Sequence, residues 1–351
     1  MDTNRVILDT DVGSDVSDLA AVFLYWQCAK KGYLHPQGVL MNTGNEQGPA
    51  CLALAEQYVR GQQTPIGALG TSFLNYSMHW KYTRYLLEAF PLPQPPQLLP
   101  YVPCFRKALA DAPDQSVTIV CNGPLRGLAQ LLRSGPDAYA DVDGCRLVAR
   151  KVRRLILSSG RFRLDPQPVY PRRSGWDVWS YTDTSMYIDW DVPSARIVDD
   201  EWPTPIVWVG CEVGYLHLSG RTFCEQTADD HPLRLAYRHF TKGGAHISGP
   251  QLAVLCALPA YSARILLSPP GGAVERLCAV SARGGVAPPR AARVGTSLWG
   301  RFERHFEIHR QDQRALHAAS AAHCRAFPAR RAGGPSPSPA GPGRGQGHDA
   351  V

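Results

Sequence analysis

The stretch that most restricts what this chain can become lies at its beginning. Val6-Ile7-Leu8 runs into Asp9-Thr10-Asp11-Val12-Gly13-Ser14-Asp15-Val16-Ser17-Asp18, and then into Leu-Ala-Ala-Val-Phe-Leu-Tyr-Trp-Gln-Cys-Ala. A short apolar run, a polar loop containing glycine and an apolar segment of helical length read as strand, loop and helix. The loop concentrates Asp9, Asp11, Asp15 and Asp18 at a strand end. Asp9 and Asp11 leave the strand on one alternation of the pleat, while Asp15 and Asp18 are three apart and share one helix face.

The same grammar recurs along the chain. Gly38–Met41 reads as a second strand, Asn42-Thr43-Gly44-Asn45 as its loop, and CLALAEQYVRG as a helix stopped by Gly61. Ser116–Cys121 reads as a strand turning at Asn122-Gly123-Pro124 into LRGLAQLLRSG, and Arg153–Leu157 and Pro205–Val209 add two more strands. Alternation of this kind predicts an α/β fold: a mostly parallel central sheet with flanking helices, Rossmann-like and doubly wound. In such sheets ligands sit at the carboxyl ends of the strands, which is where these loops fall.

The pattern fades after about residue 270. We expect a folded domain over 1–278, an extension over 279–327 with one helix spanning 299–317, and a disordered Pro/Gly/Arg-rich tail over 328–351. That tail explains the charge. The net +7 of the whole chain is matched by residues 279–351 alone, with 11 Arg, no Lys and 4 acidic residues, so the preceding part is neutral and gives no reason to expect nucleic acid on the core. The tail reads either as a nucleic-acid-binding arm or as a plain extension, and we favour the extension. Ten scattered cysteines, none in CxxC spacing, read as free thiols in a reducing compartment. With neither a signal-peptide pattern nor an apolar run of membrane-spanning length, we expect a soluble cytoplasmic protein that has no membrane partner.

The carboxylate loop admits two readings. One is a helix N-terminus enriched in acids, with Ser14 or Asp15 as cap. The other is a site for a hard cation such as Ca²⁺ or Mg²⁺, since clustered carboxylates repel one another unless neutralised, and Gly13 lets the backbone turn closely.

Asp9-Thr10-Asp11-Val12-Gly13-Ser14-Asp15, with Asp18 following, resembles the DTDxGxD signature of the inosine/uridine-preferring nucleoside hydrolases. GVLMNTGN, SVTIVCNGPLRGLAQLL, VARKVRRLILSSGRF and DEWPTPIVWVGCEVG resemble later segments of that family in the same order, so the likeness covers roughly residues 5–270. It implies hydrolysis of a nucleoside to base and ribose with Ca²⁺ as cofactor, in a homodimer or homotetramer. Asp11 would be metal ligand and general base. Asp15 and Asp18 would share ligation and ribose contacts, Asn45 would touch the sugar, and the Asn122 carbonyl would be a further metal ligand. Such residues suit a reaction that builds oxocarbenium character on ribose and needs an activated water.

Four departures accompany the resemblance. The family's Asp-Asp pair reads Ser17-Asp18. Its Glu-aromatic-Asn ribose clamp falls on Ser185, Met186 and Tyr187, and its Met-Gly-Gly on Ser158-Ser159-Gly160. Its late metal-ligating aspartate falls on Pro250, which has no side-chain oxygen. His246, four residues earlier, reads either as a substrate-contacting residue near the base site or as a satisfied surface histidine. Residues 163–183, rich in Pro, Arg and Trp, read as an irregular loop or a lid.

Two alternatives stand beside the hydrolase. One is a non-catalytic nucleoside- or ribose-binding protein of the same fold. The other, more remote, is a phosphatase with Asp9 as nucleophile, which Gly13 and the later segments oppose.

Overall fold

The computed structural model of the chain describes residues 4–70, 82–160, 186–215, 217–262 and 291–293. The expected helix over 299–317, the tail, the domain boundary at 278, the 163–183 insertion and Ser185 lie outside the described residues.

Seven parallel strands form the central sheet: β1 (Arg5–Thr10), β2 (His35–Met41), β3 (Ile66–Ala68), β4 (Leu98–Pro100), β5 (Val117–Asn122), β6 (Val152–Leu157) and β7 (Ile206–Trp208). Their spatial order is β7-β6-β5-β1-β2-β3-β4. A separate antiparallel ribbon pairs β8 (Leu218–Ser219) with β9 (His246–Ile247), and β10 (Ala291–Arg293) adds to the β7 edge. The chain starts in the middle of the sheet, proceeds outward through β2 to β4, then crosses back to β5 beside β1. The strand order therefore reverses between β1 and β5, which is where an open α/β sheet leaves a crevice at its carboxyl edge.

The period of two along each strand sends alternate side chains to the two faces. Val6 and Leu8 of β1, Val39 and Met41 of β2 and Val120 of β5 join one core, whereas Ile7, Leu40, Ile119 and Cys121 join the other. The helix Val16–Lys30 lies over the first core with the helices Gly48–Arg60, Pro232–Thr241 and Gly249–Cys256 against it. It is apolar almost all round, burying Leu19, Val22, Phe23, Tyr25 and Trp26, because it is covered on nearly every side. Each such large side chain contributes about 1.5–3 kcal/mol by leaving water. That burial fixes the helix, and with it the loop at its N-terminus. The helices Tyr101–Ala110, Arg126–Leu132, Gly144–Lys151 and Val192–Glu201 cover the other face.

The five strands expected from sequence all form. The short β3, β4, β8, β9 and β10 went unread because two or three residues carry no periodicity. Gly61 closes the helix Gly48–Arg60 in the left-handed region at φ 69°, as expected. The eight described cysteines are free thiols. Among the described residues no helix is long and apolar enough to cross a membrane.

Candidate active site

The carboxyl edge of the sheet is sealed by backbone hydrogen bonds that extend the ladders into the loops. Asp11 N–H donates to the Asn122 carbonyl at 3.1 Å, Asn42 N–H to Thr10 at 3.0 Å, and Ser158 N–H to Cys121 at 3.0 Å. The loops after β1, β2, β5 and β6 thus leave the sheet side by side.

Gly13 makes the first turn possible. Its φ of 121° lies in the region side chains avoid, and an added Cβ would sit 1.7 Å from Asn45 Nδ2. Asn45 occupies that space, donating Nδ2 to the Val12 carbonyl at 3.0 Å and accepting Gln47 N–H on Oδ1 at 3.0 Å. The side chain expected to touch a sugar is therefore spent on shaping the loop.

Asp11 is fully buried. Its Oδ2 accepts the Ser14 hydroxyl at 3.1 Å and its Oδ1 the Tyr187 hydroxyl at 3.2 Å. Burial raises its pKa to about 7, against those two donors and with help from the negative charge of Asp15.

Asp15 is the N-cap of the helix Val16–Lys30, so the capping reading holds for this residue. Its Oδ1 accepts Ser17 N–H at 2.7 Å and the Ser17 hydroxyl at 2.6 Å. Its Oδ2 lies 2.6 Å from His246 Nε2. Burial disfavours its charge, but the His246 partner and the Ser17 donors outweigh that and hold its pKa below the ordinary value.

Asp18 is different. It is fully buried, and among the described residues neither carboxylate oxygen has a well-formed hydrogen bond; the polar groups that bear on it are its own N–H and the carboxyl groups of Asp11 and Asp15. Burial, then the neighbouring charges of Asp11 and Asp15, pushes its pKa well above the usual range. The structure therefore brings Asp11, Asp15 and Asp18 within electrostatic reach of one another. Among the described residues, however, no three His, Cys, Asp or Glu side chains form a ready-made metal centre.

Asn122 keeps an unpartnered Oδ1 and donates Nδ2 to the Pro250 carbonyl at 3.5 Å. Its own carbonyl, one lone pair of which receives Asp11 N–H, retains a second. Pro250 is buried at the start of the helix Gly249–Cys256 and faces this region with main chain alone. The floor there is tight, since a Cβ on Gly249 would meet Ser158 Oγ at 3.1 Å. His246 arrives from the antiparallel ribbon and pairs with Asp15 while keeping about a quarter of its side chain exposed, so it is neither buried nor solitary on the surface.

Asp9 points away from all this. It is fully buried on the opposite face of the sheet, accepts the Cys121 thiol at 3.3 Å, and has its pKa raised to about 7 by burial. No substrate reaches it there, which removes the basis for a phosphatase nucleophile.

Three participants escaped the sequence. Tyr82 accepts Gly13 N–H and donates to the Asp15 carbonyl from 69 and 67 residues downstream, and nothing local marks it. Tyr187 was visible only as a departure at the clamp position, and the structure turns that departure into a donor to Asp11. His217, buried against the Val213 carbonyl near the late segment, has its pKa lowered to about 4 by desolvation.

Comparisons with known proteins agree with this architecture at the level of the fold. No protein-family model matches the chain, and no curated protein sequence does. Among solved structures, a purine-preferring ribonucleoside hydrolase from Gardnerella vaginalis superimposes with a TM-score of 0.60 at 15% identity, over 90% of this chain and 99% of that one. The type III effector protein XopQ, in a complex with adenosine diphosphate ribose, gives 0.58 at 15% identity over 91% and 93%. A plant nucleoside hydrolase gives 0.50 at 14% identity over 84% and 88%. The chain has the nucleoside hydrolase fold, and its carboxylate-bearing loop joins its own first strand to its first helix.

Proposed function

We propose that this protein hydrolyses the N-glycosidic bond of a nucleoside, using the loop from Asp11 to Asp18. The observation that carries the proposal is Asp18: a fully buried carboxylate with no well-formed hydrogen bond, pressed by two further aspartates. A fold does not keep such a group for stability, since a buried acid without a good partner costs free energy even when it takes up a proton to escape its charge. The fold neighbours whose names concern ribonucleosides or ADP-ribose support a ribosyl ligand.

The implied cofactor is Ca²⁺. The donors fit it by type, because the Asp18 oxygens, Asp11 and the second lone pair of the Asn122 carbonyl are all hard oxygens. The set is short of charge, with Pro250 in place of an acid. When bound, such a cation neutralises the cluster and acidifies a water.

The remaining chemistry belongs to side chains. Asp11, oriented by Ser14 and Tyr187, accepts the proton of the attacking water. Asp15 and Asp18 stabilise positive charge developing on the ribose. His246, about a quarter exposed and hydrogen-bonded to Asp15, contacts the substrate on the base side.

Pro250 favours a second reading, a nucleoside- or ribose-binding protein without turnover. In its support, every oxygen of Asp11 and Asp15 already has a protein partner. Reducing-sugar release from inosine, uridine and adenosine in Ca²⁺, for wild type and Asp11→Asn, separates the two. Release that Asp11→Asn abolishes establishes the hydrolase. Saturable nucleoside binding by calorimetry with no release establishes the binding protein instead. The dimer or tetramer that the resemblance implies is tested by sedimentation of the same samples.

A further inference from the structure

Asp15 is gripped by residues from separate parts of the chain. Its carbonyl accepts the Tyr82 hydroxyl at 2.9 Å, and that hydroxyl in turn accepts Gly13 N–H at 3.1 Å, so one buried phenol spans the turn. Its Oδ2 meets His246 Nε2 at 2.6 Å. A hydrogen bond fixes the geometry of its acceptor only as well as the donor is itself fixed. Both donors here are fixed by the same ring. Phe240 packs edge-on to Tyr82, with centroids 6.1 Å apart at 78°, and edge-on to His246, at 5.0 Å and 75°. This is the geometry that ring quadrupoles favour. Phe240 belongs to the helix Pro232–Thr241, which a stack of His239 on Tyr85, at 4.3 Å and 11°, ties to the helix Thr83–Ala89 that Tyr82 caps.

We propose that Tyr82, Phe240 and His246 form an aromatic brace that positions Asp15 and thereby sets the carboxylate loop, with Tyr82 and His246 as positioning residues and Phe240 coupling them. The brace deepens the hydrolase reading and rests on it for its catalytic consequence, but not for its existence. Neither element is interchangeable with general core packing. Tyr82 is wholly buried yet spends its hydroxyl on the loop, and β9, only two residues long, delivers its histidine to the same aspartate.

The test combines hydrogen exchange at Gly13 and Ser17 N–H with kinetics on inosine in the full-length protein. Tyr82→Phe removes only the bridging hydroxyl, so Gly13 N–H exchanges about tenfold faster, as loss of one buried hydrogen bond implies, while amides of the central strands keep their protection. Phe240→Leu, which removes no hydrogen bond, speeds exchange at both Gly13 and Ser17. His246→Gln, whose amide still reaches Asp15, restores the protection that His246→Leu loses. In turnover, Tyr82→Phe and Phe240→Leu lower kcat about tenfold and leave KM within about threefold. Unchanged Gly13 exchange in folded Tyr82→Phe, or equal behaviour of His246→Gln and His246→Leu, overturns the brace. If wild type releases no ribose, the hydrolase proposal fails while the exchange data still decide the brace; if Tyr82→Phe does not fold, Phe240→Leu and the His246 pair decide it.

Discussion

Residues 9–18 and residues 246–251 meet at the same edge of the sheet, yet they bring different kinds of atom to it. The front loop contributes three carboxylates and braces them from several directions: Asn45 under Gly13, Tyr82 across the turn, and Ser14 and Tyr187 on Asp11. The late segment contributes a proline and the small residues Ser248 and Gly249, and His246 within it turns toward Asp15. One region brings carboxylates to that edge, while the other meets it with a main-chain carbonyl at Pro250 and the imidazole of His246. The difference teaches that several long-range partners together hold the front loop, whereas what the late segment offers at position 250 rests on one residue type.

The strongest way to break this comparison is Asp18→Asn. If the front loop is a working site, turnover falls at least about 100-fold, the scale of losing a ligand to the activated water. In the cation-free protein the same change raises the melting temperature, because the isosteric amide removes a buried acid from beside two like charges. Loss of turnover with no gain in the cation-free state would mean that Asp18 is not burdened as its surroundings imply.

Next in size is a pH effect on the late side. The folded state keeps His217 neutral down to about pH 4, whereas the unfolded chain takes up the proton near 6.5. The unfolded state therefore binds more protons in this window. Stability is present above pH 6.5 and is lost as the pH falls from 6.5 toward 4, by on the order of 3 kcal/mol. Urea unfolding of wild type and His217→Gln at pH 7.5 and 4.5 isolates the loss as the difference between the two proteins, since Asp9 and Asp11, with pKa values raised to about 7, act in the opposite sense in both.

Gly13→Ala probes the front loop's own construction. It forces a left-handed φ on alanine and drives a methyl into Asn45, costing about 2 kcal/mol or more in thermal unfolding. A cost no larger than that of an ordinary surface substitution would show that the turn relaxes freely.

The smallest change, and the one that most sharpens the comparison, is Pro250→Asp. An acid at the first turn of a helix suits the helix dipole, and here it adds charge beside Asn122. Calorimetric titration should show Ca²⁺ binding about tenfold tighter than in wild type. An unchanged affinity would mean that the late segment does not face the ion.

Much of this was legible in residues 5–61 and 116–132, where full-length strands and helices repeat their periods and Gly61 marks a helix stop. The capping role of Asp15 and the missing oxygen at Pro250 are likewise properties of residue type and place. The brace was not legible. Tyr82, Tyr187 and His246 lie in short or irregular segments, Phe240 lies in a helix with no site motif, and their partners are as far as 231 residues away in sequence.

By itself, then, the sequence determined the parallel α/β architecture, the strand-end cluster of carboxylates and the want of a side-chain oxygen at position 250. These follow from local period, turn chemistry and side-chain type, which a chain carries before it folds. Only the tertiary structure decided which carboxylates have donors: Asp11 and Asp15 satisfied, Asp18 not, and Asp9 turned to the far face. Hydrogen bonding and desolvation depend on what long-range packing brings within about 3 Å, and no local pattern encodes that.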